Sequence, residues 1–405
     1  MHTMSDETPT GVQLTPFDPD YLEDPYAVIK QLREKDPFHH DTQLNRYFPC
    51  SYADVKAILR DPDLLTDPNS SKPDSYARHF FDGEEEVSML MADEPRHLRL
   101  RKLVNDLFKP RAVEQWRARI EEVVTEALDR ISGSEFDLIA DYAEPVPTIV
   151  IAEIMGIPVE RQEDFKQWSA MSAEAMFSPD PSAQAIAAAT EGNRLMSEFF
   201  LEQIVDRRAG PGKDLISQLV QSQIDGDRLS DDEIVSQCNL LLAAGNLTTT
   251  DMIGNGIRAL LEHPEQLEKL RADPALIEAT VEEVLRYDSP VLNSGRITPE
   301  NTEIRGCPVE QGECLHVSLA GANRDPATYE NPDNFDIERP YIAHQSFGGG
   351  RHFCLGASLA RLEGQVAILG LVQRFPNLEL SERGFTQGMV PEFRGMEYCW
   401  LRKGD

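Results

Sequence analysis

One cysteine stands near the end of a glycine-rich run, FGGGRHFCLG (347–356), directly before a predicted helix. The free N–H groups and the dipole at a helix N-terminus stabilise a thiolate, the form of cysteine that binds metals. Gly350 and Gly356 allow the backbone to curl around the sulfur of Cys354 and to approach a large flat group. The run does not suit phosphate, because Phe353 stands where the dinucleotide motif GxGxxG has its third glycine. Cys354 is therefore either a metal ligand or, like most lone cysteines, an inert buried side chain.

A long helix is predicted from the capping box SDDE, formed by Ser230 and Glu233, to His263, where Pro264 ends it. Such a helix spans roughly 50 Å, enough to cross a whole domain. Its middle, LLLAAGNLTTTD (240–251), contains a glycine and three consecutive threonines, which are poor helix formers. Residues of this kind inside a helix indicate that another interaction compensates for their cost.

Apolar residues recur at helical spacing along most of the chain, as in DPYAVIKQLREKD, SYADVKAILRD, EPRHLRLRKLVNDLF, AVEQWRARIEEVVTEALDRI and RLMSEFFLEQIVDRR. Strand-like segments are short and lie mostly after residue 290, in SPVLNSGRIT, ECLHVSLA and MEYCWLR. The segment FSPDPSAQ (177–184) is predicted to be a loop between two helices. These patterns predict a mainly α protein with small β-sheets. We expect a single domain over residues 21–405, preceded by a flexible N-terminal tail at residues 1–20.

The composition argues against several classes of protein. A net charge of −31 over 405 residues opposes binding to nucleic acid and a polybasic attachment to membranes. Six scattered cysteines without a CxxC pair indicate neither a disulfide framework nor a zinc site. The N-terminus has no signal-peptide pattern, and the most apolar run, residues 148–159, is too short to span a bilayer. We therefore expect a soluble, monomeric protein of the cytoplasm.

The pattern Phe-x-x-Gly-x-x-x-Cys-x-Gly in the glycine-rich run resembles the haem-ligand loop of the cytochrome P-450 family, the haem-thiolate monooxygenases. Five further segments resemble that family's motifs in its order: EPRHLRLRKL, the long helix with AAGNLT, EEVLR, FDIERP and PEFRGMEYCW. The resemblance covers nearly the whole chain. It implies the cytochrome P-450 fold, mainly α with small β-sheets and a long helix across the distal face of the haem. It also implies haem b as cofactor, with the thiolate of Cys354 as the iron ligand.

Further haem contacts follow from the resemblance. His97 and Arg101, four residues apart on one helix face, resemble the family's propionate-binding pair, and Arg296 and His352 resemble two further propionate partners. The chemistry agrees, because two haem carboxylates in a closed pocket require cations or hydrogen-bond donors. The remaining haem contacts that the resemblance implies are Ala244, Gly245, Phe347, Gly348 and Gly356.

Three charged residues resemble the family's structural ion-pair group. Glu283 and Arg286, in EEVLR, match its ExxR pair, and Arg339 in FDIERP matches the arginine that joins them. An isolated pair at i, i+3 is usually a solvated ion pair worth about 0.2–0.5 kcal/mol. A glutamate buried with two arginines satisfies their charges instead, and removing one member leaves a charge without a partner. We expect the three residues to be structural rather than catalytic.

The middle of the long helix departs from the family at one position. Thr248 and the small residues before it match the family, but Leu247 stands where the family has an acid that relays protons together with the threonine. Asp251 lies three residues after Thr248 and so on the same helix face. We hypothesise that Asp251, or a water held by Asn246, replaces the missing acid. The alternative is that Asp251 is a solvent-facing helix residue.

The resemblance implies a monooxygenase that inserts one oxygen atom from O2 into a C–H bond. The chain contains no flavin or nicotinamide motif, so electrons must come from a separate ferredoxin and its reductase. The segment 96–119 has eight Lys or Arg against two acids, which suits the docking of an acidic ferredoxin. Two alternatives stay open. One is a peroxide-driven haem-thiolate enzyme, which Leu247 favours, and the other is a non-catalytic haem-binding ligand sensor.

The resemblance also indicates which segments line the substrate pocket. They are the stretches 79–91, 171–177, 241–245, 291–294 and 393–396, in which Phe, Met, Leu and Val dominate. Within them we expect substrate contacts from Leu241, Val291, Leu292 and Phe393. Because methionine-containing apolar pockets adapt to varied shapes, we expect a medium-sized apolar substrate such as a terpenoid or steroid.

Overall fold

The computed structural model describes residues 19–42, 44–79, 88–158, 161, 164–165, 167–168, 171, 182–224, 227–388 and 392–404. The chain divides into two compact units, each built from several segments. Unit 1 takes the described residues within 1–84, 282–354 and 387–394, and unit 2 takes those within 85–281, 355–386 and 395–405. Residues 1–18 of the predicted tail and residues 177–181 of the predicted loop lie outside the described residues.

The prediction of a mainly α protein with small sheets is confirmed. The α-helices of the described residues are α1 (Pro19–Glu23), α2 (Pro25–Lys35), α3 (Tyr52–Arg60), α4 (Tyr76–His79), α5 (Arg96–Val104), α6 (Pro110–Val113), α7 (Arg117–Arg130), α8 (Pro145–Met155), α9 (Ala183–Ala209), α10 (Leu215–Gln221), α11 (Asp231–Glu262), α12 (Pro264–Ala272), α13 (Ile277–Tyr287), α14 (Leu319–Asn323) and α15 (Ala357–Arg374). Within the described ranges, every helix is too short or too polar to cross a membrane.

The strands are short and form small sheets. They are β1 (Phe38–Asp41), β2 (Arg46–Pro49), β3 (Glu135–Asp137), β4 (Gln223–Ile224), β5 (Asp227–Arg228), β6 (Asn293–Ile297), β7 (Thr302–Ile304), β8 (Cys307–Val309), β9 (Cys314–Ser318), β10 (Leu378–Gln387) and β11 (Met396–Lys403). A four-stranded sheet has the order β1-β2-β9-β6, and a three-stranded sheet has the order β10-β11-β3. Strands β6, β9 and β11 lie in the three segments that the sequence predicted.

Unit 1 is built on the four-stranded sheet. β2 runs parallel to β9 and pairs Arg46 with Cys314, whereas β6 runs antiparallel to β9. Successive side chains of a strand point to opposite faces. Leu315 and Val317 of β9 therefore pack against α3 in an apolar core, while Cys314 packs against Tyr76 of α4. The β1–β2 hairpin was not predicted, because these four-residue strands depend on pairing with a strand far away in the sequence.

Unit 2 is mainly helical, and its longest helix is α11. Ser230 and Glu233 form the predicted capping box at its start, and His263 caps its end. The prediction of this helix is therefore confirmed, including both of its ends.

Glycines allow the helices of unit 2 to approach α11 closely. A Cβ atom at Gly245 would lie 3.1 Å from Cγ1 of Ile151 in α8. A Cβ atom at Gly364 of α15 would lie 2.7 Å from Cε of Met252 in α11. Gly245, which lowers the stability of the middle of α11, thus permits close packing of α11 on α8. This packing is part of what offsets the cost of poor helix formers there.

Candidate active site

The loop before α15 holds Cys354 in a defined backbone shape. Gly348 and Gly350 have φ angles of 68° and 64°, in the left-handed region that favours glycine. The N–H of Cys354 donates to the carbonyl of Phe347 at 2.9 Å and closes the loop around both glycines. The glycine-rich run therefore bends the backbone around the cysteine.

Exposure separates Cys354 from most of the other cysteines. All six cysteines lie within the described residues, and Cys354 and Cys307 are exposed while the other four are buried. Burial raises the pKa of Cys50, Cys314 and Cys399 to about 12, so they remain thiols at neutral pH. Cys307 lies in the short strand β8, whereas Cys354 stands just before the N-terminus of α15, where a thiolate is stabilised. Cys354 is thus the cysteine best suited to bind a metal.

A side chain at Gly350 is expected to distort this loop. A Cβ atom there would lie 2.5 Å from the carbonyl oxygen of Leu59, and the positive φ angle is unfavourable for other residues. Gly350→Ala should lower the free energy of unfolding by about 1–3 kcal/mol from backbone strain alone. Gly210→Ala is the control, because Gly210 is exposed and nothing lies within 4 Å of a Cβ atom at that position. Thermal unfolding measures the effect, and equal melting temperatures for the two variants would contradict it.

Two of the four predicted propionate partners, Arg296 and His352, lie in unit 1, as does this loop. Arg296 of β6 is 4% exposed and donates to a backbone carbonyl at 2.6 Å. Its Nη2 lies 3.5 Å from the carbonyl oxygen of Leu59. A side chain at Gly350 would clash with the same oxygen. Nε2 of His352 lies 3.1 Å from Oγ1 of Thr66. The cysteine loop is therefore next to a buried cation.

Glu283, Arg286 and Arg339 form one ion-pair group in unit 1. Nε and Nη2 of Arg286 donate to the two carboxylate oxygens of Glu283 at 2.7 and 2.8 Å, and Nε of Arg339 lies 3.2 Å from both. The side chains of Glu283 and Arg286 are 4% and 3% exposed. The other guanidinium N–H groups donate to backbone carbonyls in the segment 323–334. The group therefore ties α13 to the chain that leads to the cysteine loop.

Three of the predicted substrate contacts meet in unit 1. Val291 pairs with Phe393 in an antiparallel bridge, and the N–H of Leu292 donates to the carbonyl of Glu392 at 2.9 Å. Val291 and Phe393 are partly exposed, whereas Leu292 is 3% exposed and packs in the core. Phe393 and Val291 can therefore touch a ligand directly, while Leu292 supports them.

The fourth predicted substrate contact and two of the predicted pocket stretches belong to other segments. Leu241 lies in α11 of unit 2 and is 7% exposed. Residues 80–87 and 172–177, which make up most of two predicted pocket stretches, lie outside the described residues.

His97 and Arg101 lie one turn apart on α5 of unit 2. His97 is 2% exposed, and its Nδ1 lies 3.3 Å from Oε1 of Glu94. Arg101 is partly exposed. A buried imidazole with a cation one turn away suits an anionic group such as a carboxylate.

An exposed face opens in the middle of α11. Ala244 is exposed, Leu247 is 37% exposed and Thr248 is partly exposed, whereas residues 249–257 are buried. The hydroxyl of Thr248 donates to the carbonyl of Ala244 at 3.0 Å. Gly245 is partly exposed beside this face, although a Cβ atom added to it would meet Ile151 of α8. Apart from the hydroxyl group of Thr248, the side chains of this face are apolar, which suits a flat apolar ligand.

Asp251 is buried rather than facing solvent. Its side chain is 6% exposed, and a Cβ atom at Gly395 would lie 1.8 Å from Oδ1 of Asp251. The carboxyl group therefore packs directly on the Gly395 backbone, and the alternative of a solvent-facing residue is wrong. The side-chain oxygen of Asn246 accepts from Oγ1 of Thr148 at 2.9 Å, so this amide faces α8.

A set of polar residues in unit 1 was not predicted from the sequence. Tyr76, Asn293 and His316 surround the carboxylate of Glu392, directly beside Phe393. No local pattern marks these residues, because each belongs to a different segment of the chain.

Comparison with known proteins decides the family, since the cytochrome P-450 family model matches residues 48–386. The chain belongs to the cytochrome P-450 family. This cytochrome P-450 is 39% identical over 379 residues to cytochrome P-450 107B1 of Saccharopolyspora erythraea, covering 91% of this chain and 92% of that protein. Its fold matches cytochrome P-450 BioI, solved in complex with hexadec-9Z-enoic acid ligated acyl carrier protein, with a TM-score of 0.87, 35% identity and coverage of 95% and 100%. It also matches CYP109E1 of Bacillus megaterium in complex with testosterone, with a TM-score of 0.84, 31% identity and coverage of 94% and 100%.

Members of this family are monooxygenases that use haem b with a cysteine thiolate ligand, and this cytochrome P-450 is such an enzyme. The residues present fit the cofactor. In unit 1, an exposed cysteine at a helix N-terminus lies in a loop next to the buried cation of Arg296. In unit 2, α11 presents a face of small and apolar side chains at Ala244, Leu247 and Thr248.

Proposed function

We propose that this cytochrome P-450 hydroxylates a medium-sized apolar substrate with electrons from a separate ferredoxin, and that Cys354 is the iron ligand. The observation that carries the proposal is the exposed cysteine at the start of α15, in a loop shaped by two glycines with positive φ angles. When bound, the haem supplies oxygen activation, and a thiolate ligand favours cleavage of the O–O bond. The protein's own residues bind the haem, orient the substrate and deliver protons.

Four side chains are proposed to bind the haem carboxylates: Arg296 and His352 in unit 1, and His97 and Arg101 in unit 2. All four are cations or hydrogen-bond donors, as carboxylates require. The proposed contacts to the macrocycle are Ala244, Gly245, Phe347, Gly348 and Gly356.

Thr248 is proposed to order the water through which protons reach the reacting oxygen. Its hydroxyl lies on the partly exposed face of α11, whereas Leu247 cannot transfer a proton. Asp251 is proposed to supply the proton. Because its carboxyl packs on Gly395, we propose that it acts through water rather than by direct contact with Thr248.

Thr248→Ala is expected to uncouple electron consumption from product formation. Without the hydroxyl, proton delivery loses its ordered water, so less product and more hydrogen peroxide should form per NADH consumed. Thr125→Ala is the matched control, because Thr125 also donates to a carbonyl one turn back, at 2.8 Å, on the exposed side of α7. Product and peroxide are measured together with NADH. Wild-type coupling in Thr248→Ala would show that the hydroxyl is not part of the relay.

Asp251→Asn tests the proposed acid separately. The amide keeps the size of the carboxyl group beside Gly395 but cannot donate an acidic proton. We expect a lower yield of product per NADH with little change in melting temperature. A lower melting temperature with unchanged coupling would instead show that Asp251 serves only to pack against the backbone of Gly395.

A ferredoxin and its reductase are proposed as the electron source for this enzyme. The enzyme itself is proposed to be a monomer in the cytoplasm. Within the segment 96–119, ion pairs with acids involve Arg99, Lys109, Arg117 and Arg119. Lys102 and Arg111 are exposed and are the proposed docking contacts. Ferredoxin-supported turnover should fall as ionic strength rises.

A steroid or terpenoid is the proposed substrate class. The similar protein solved with testosterone supports this class, and the one solved with an acyl-loaded carrier protein supports a fatty acyl chain instead. Testosterone and hexadec-9Z-enoic acid are therefore the probes for a substrate-induced change in the haem absorption spectrum. Turnover of the better ligand with NADH, ferredoxin, reductase and isotopically labelled O2 should give a product with one labelled oxygen atom.

Leu247 supports a second candidate function, that of a haem-thiolate enzyme driven by hydrogen peroxide. An apolar side chain, 37% exposed, stands where the family has its relay acid. Faster product formation with hydrogen peroxide alone than with the ferredoxin system would favour this route. Absence of product by either route would favour the ligand sensor.

A further inference from the structure

A buried polar cluster lies on one face of the four-stranded sheet in unit 1. Five of its members are less than a tenth exposed and come from different elements: Asp41 of β1, Arg46 of β2, Tyr76 of α4, Asn293 of β6 and His316 of β9. Burying charged groups is costly unless they are paired and hydrogen-bonded. Such a cluster therefore requires a specific partner, and none of the roles proposed above uses it.

The partner is the carboxylate of Glu392, whose side chain is 20% exposed. The hydroxyl of Tyr76 donates to Oε1 at 2.5 Å. Nε2 of His316 lies 3.1 Å from Oε2, and Nδ2 of Asn293 donates to the same oxygen at 3.2 Å. Three donors from three separate elements thus hold one carboxylate.

The charges of the cluster agree with an ionised Glu392. Burial acts to raise the pKa of Glu392, but His316, Arg46 and the hydroxyl of Tyr76 together lower it to about 2. Burial lowers the pKa of His316 and Arg46 acts in the same direction, whereas the carboxylate of Glu392 acts to raise it. The hydrogen bonds and the charge of Arg46 therefore stabilise the carboxylate. The guanidinium of Arg46 lies 3.5 Å from Asp41 and 4.4 Å from the centre of the Tyr76 ring.

The backbone around Glu392 is fixed to the start of β6. The carbonyl of Glu392 accepts from the N–H of Leu292 at 2.9 Å, and the N–H of Arg394 donates to the carbonyl of Pro290 at 2.8 Å. The guanidinium of Arg394 also donates to backbone carbonyls of residues 22 and 23 at 3.0 and 3.1 Å. Phe393 therefore stands between two anchored residues, and its own side chain is partly exposed.

We propose that Glu392 is a positioning residue that sets substrate specificity, because its clamped carboxylate fixes where Phe393 stands. This proposal rests on the proposed function and on the expectation from the sequence that Phe393 contacts the substrate. Glu392 does not touch the reacting atoms and acts through its neighbour. Tyr76, His316 and Asn293 are the clamp.

Glu392→Gln should loosen the segment 392–394, because glutamine has nearly the shape of glutamate but no charge. An amide is neutral and has one acceptor oxygen where the carboxylate has two, so the charge-assisted hydrogen bonds of the clamp are lost. Tyr76→Phe is the milder variant, since it removes one donor and keeps the ring beside Arg46. Glu397→Gln is the control, because Glu397 is an exposed residue of β11.

Hydrogen–deuterium exchange of the amides of Leu292 and Arg394 is the first measurement. In Glu392→Gln it should speed up by about tenfold, and in Tyr76→Phe by less. The second measurement is spectral binding of imidazole and 4-phenylimidazole to the haem protein. Glu392→Gln should lower the affinity for 4-phenylimidazole, whose phenyl ring reaches into the pocket, several times more than the affinity for imidazole. Glu397→Gln should match the wild type in both measurements.

Two results would overturn the proposal: unchanged exchange at these amides, or faster exchange with an unchanged ratio of the two affinities. Failure of the proposed function is a separate result. In that case the wild-type protein would not show the spectrum of a haem with a thiolate ligand. The exchange measurement would still test the clamp.

Discussion

Replacing Cys354 by serine is expected to abolish monooxygenation to the limit of detection while the fold is kept. Serine is nearly the same size as cysteine, but its hydroxyl is not ionised at neutral pH and supplies no thiolate to the iron. The residue is exposed, so the change removes no core packing. Circular dichroism measures the fold, and the carbon monoxide spectrum of the reduced protein measures the ligand.

Cys307→Ser is the matched control for this prediction, because Cys307 is the other exposed cysteine. It should leave the spectrum and the activity at wild-type values. Thiolate-type spectra in Cys354→Ser would assign the iron ligand to another residue.

Glu283→Gln is expected to cause the largest loss of stability. The carboxylate binds Arg286 through two hydrogen bonds and lies 3.2 Å from Nε of Arg339, so its loss leaves two guanidinium groups without an anion. Breaking a buried ion pair by removing one partner costs about 3–5 kcal/mol. Thermal or urea-induced unfolding measures the loss, and haem retention should fall with it.

An exposed ion pair provides the comparison. Glu379 and Arg402 are 49% and 51% exposed, so Glu379→Gln should change the stability by only about 0–1 kcal/mol. Similar losses in the two variants would show that the group around Glu283 behaves as a surface ion pair. A large loss for Glu283→Gln alone supports its structural role.

The sequence predicted the elements that depend on local patterns. Ser230 and Glu233 mark the start of α11, and Pro264 marks its end, because capping and helix termination are decided by neighbouring residues. The glycines around Cys354 predicted a sharply bent loop, since only glycine adopts positive φ angles readily.

Contacts between distant segments could not be predicted from the sequence. Spacing placed Asp251 on one helix face with Thr248, but its burial depends on Gly395, which belongs to another part of the chain. The bond between Tyr76 and Glu392 joins residues 316 positions apart. Local periodicity carries no information about such pairs, because they form only when the sheet of unit 1 has assembled.

The absorption spectrum of the reduced protein with carbon monoxide tests the central claim most directly. If Cys354 binds the haem iron as a thiolate, the adduct shows a Soret band shifted far to the red. A band typical of a neutral axial ligand would contradict thiolate ligation, and the absence of any haem band would contradict the assigned function altogether.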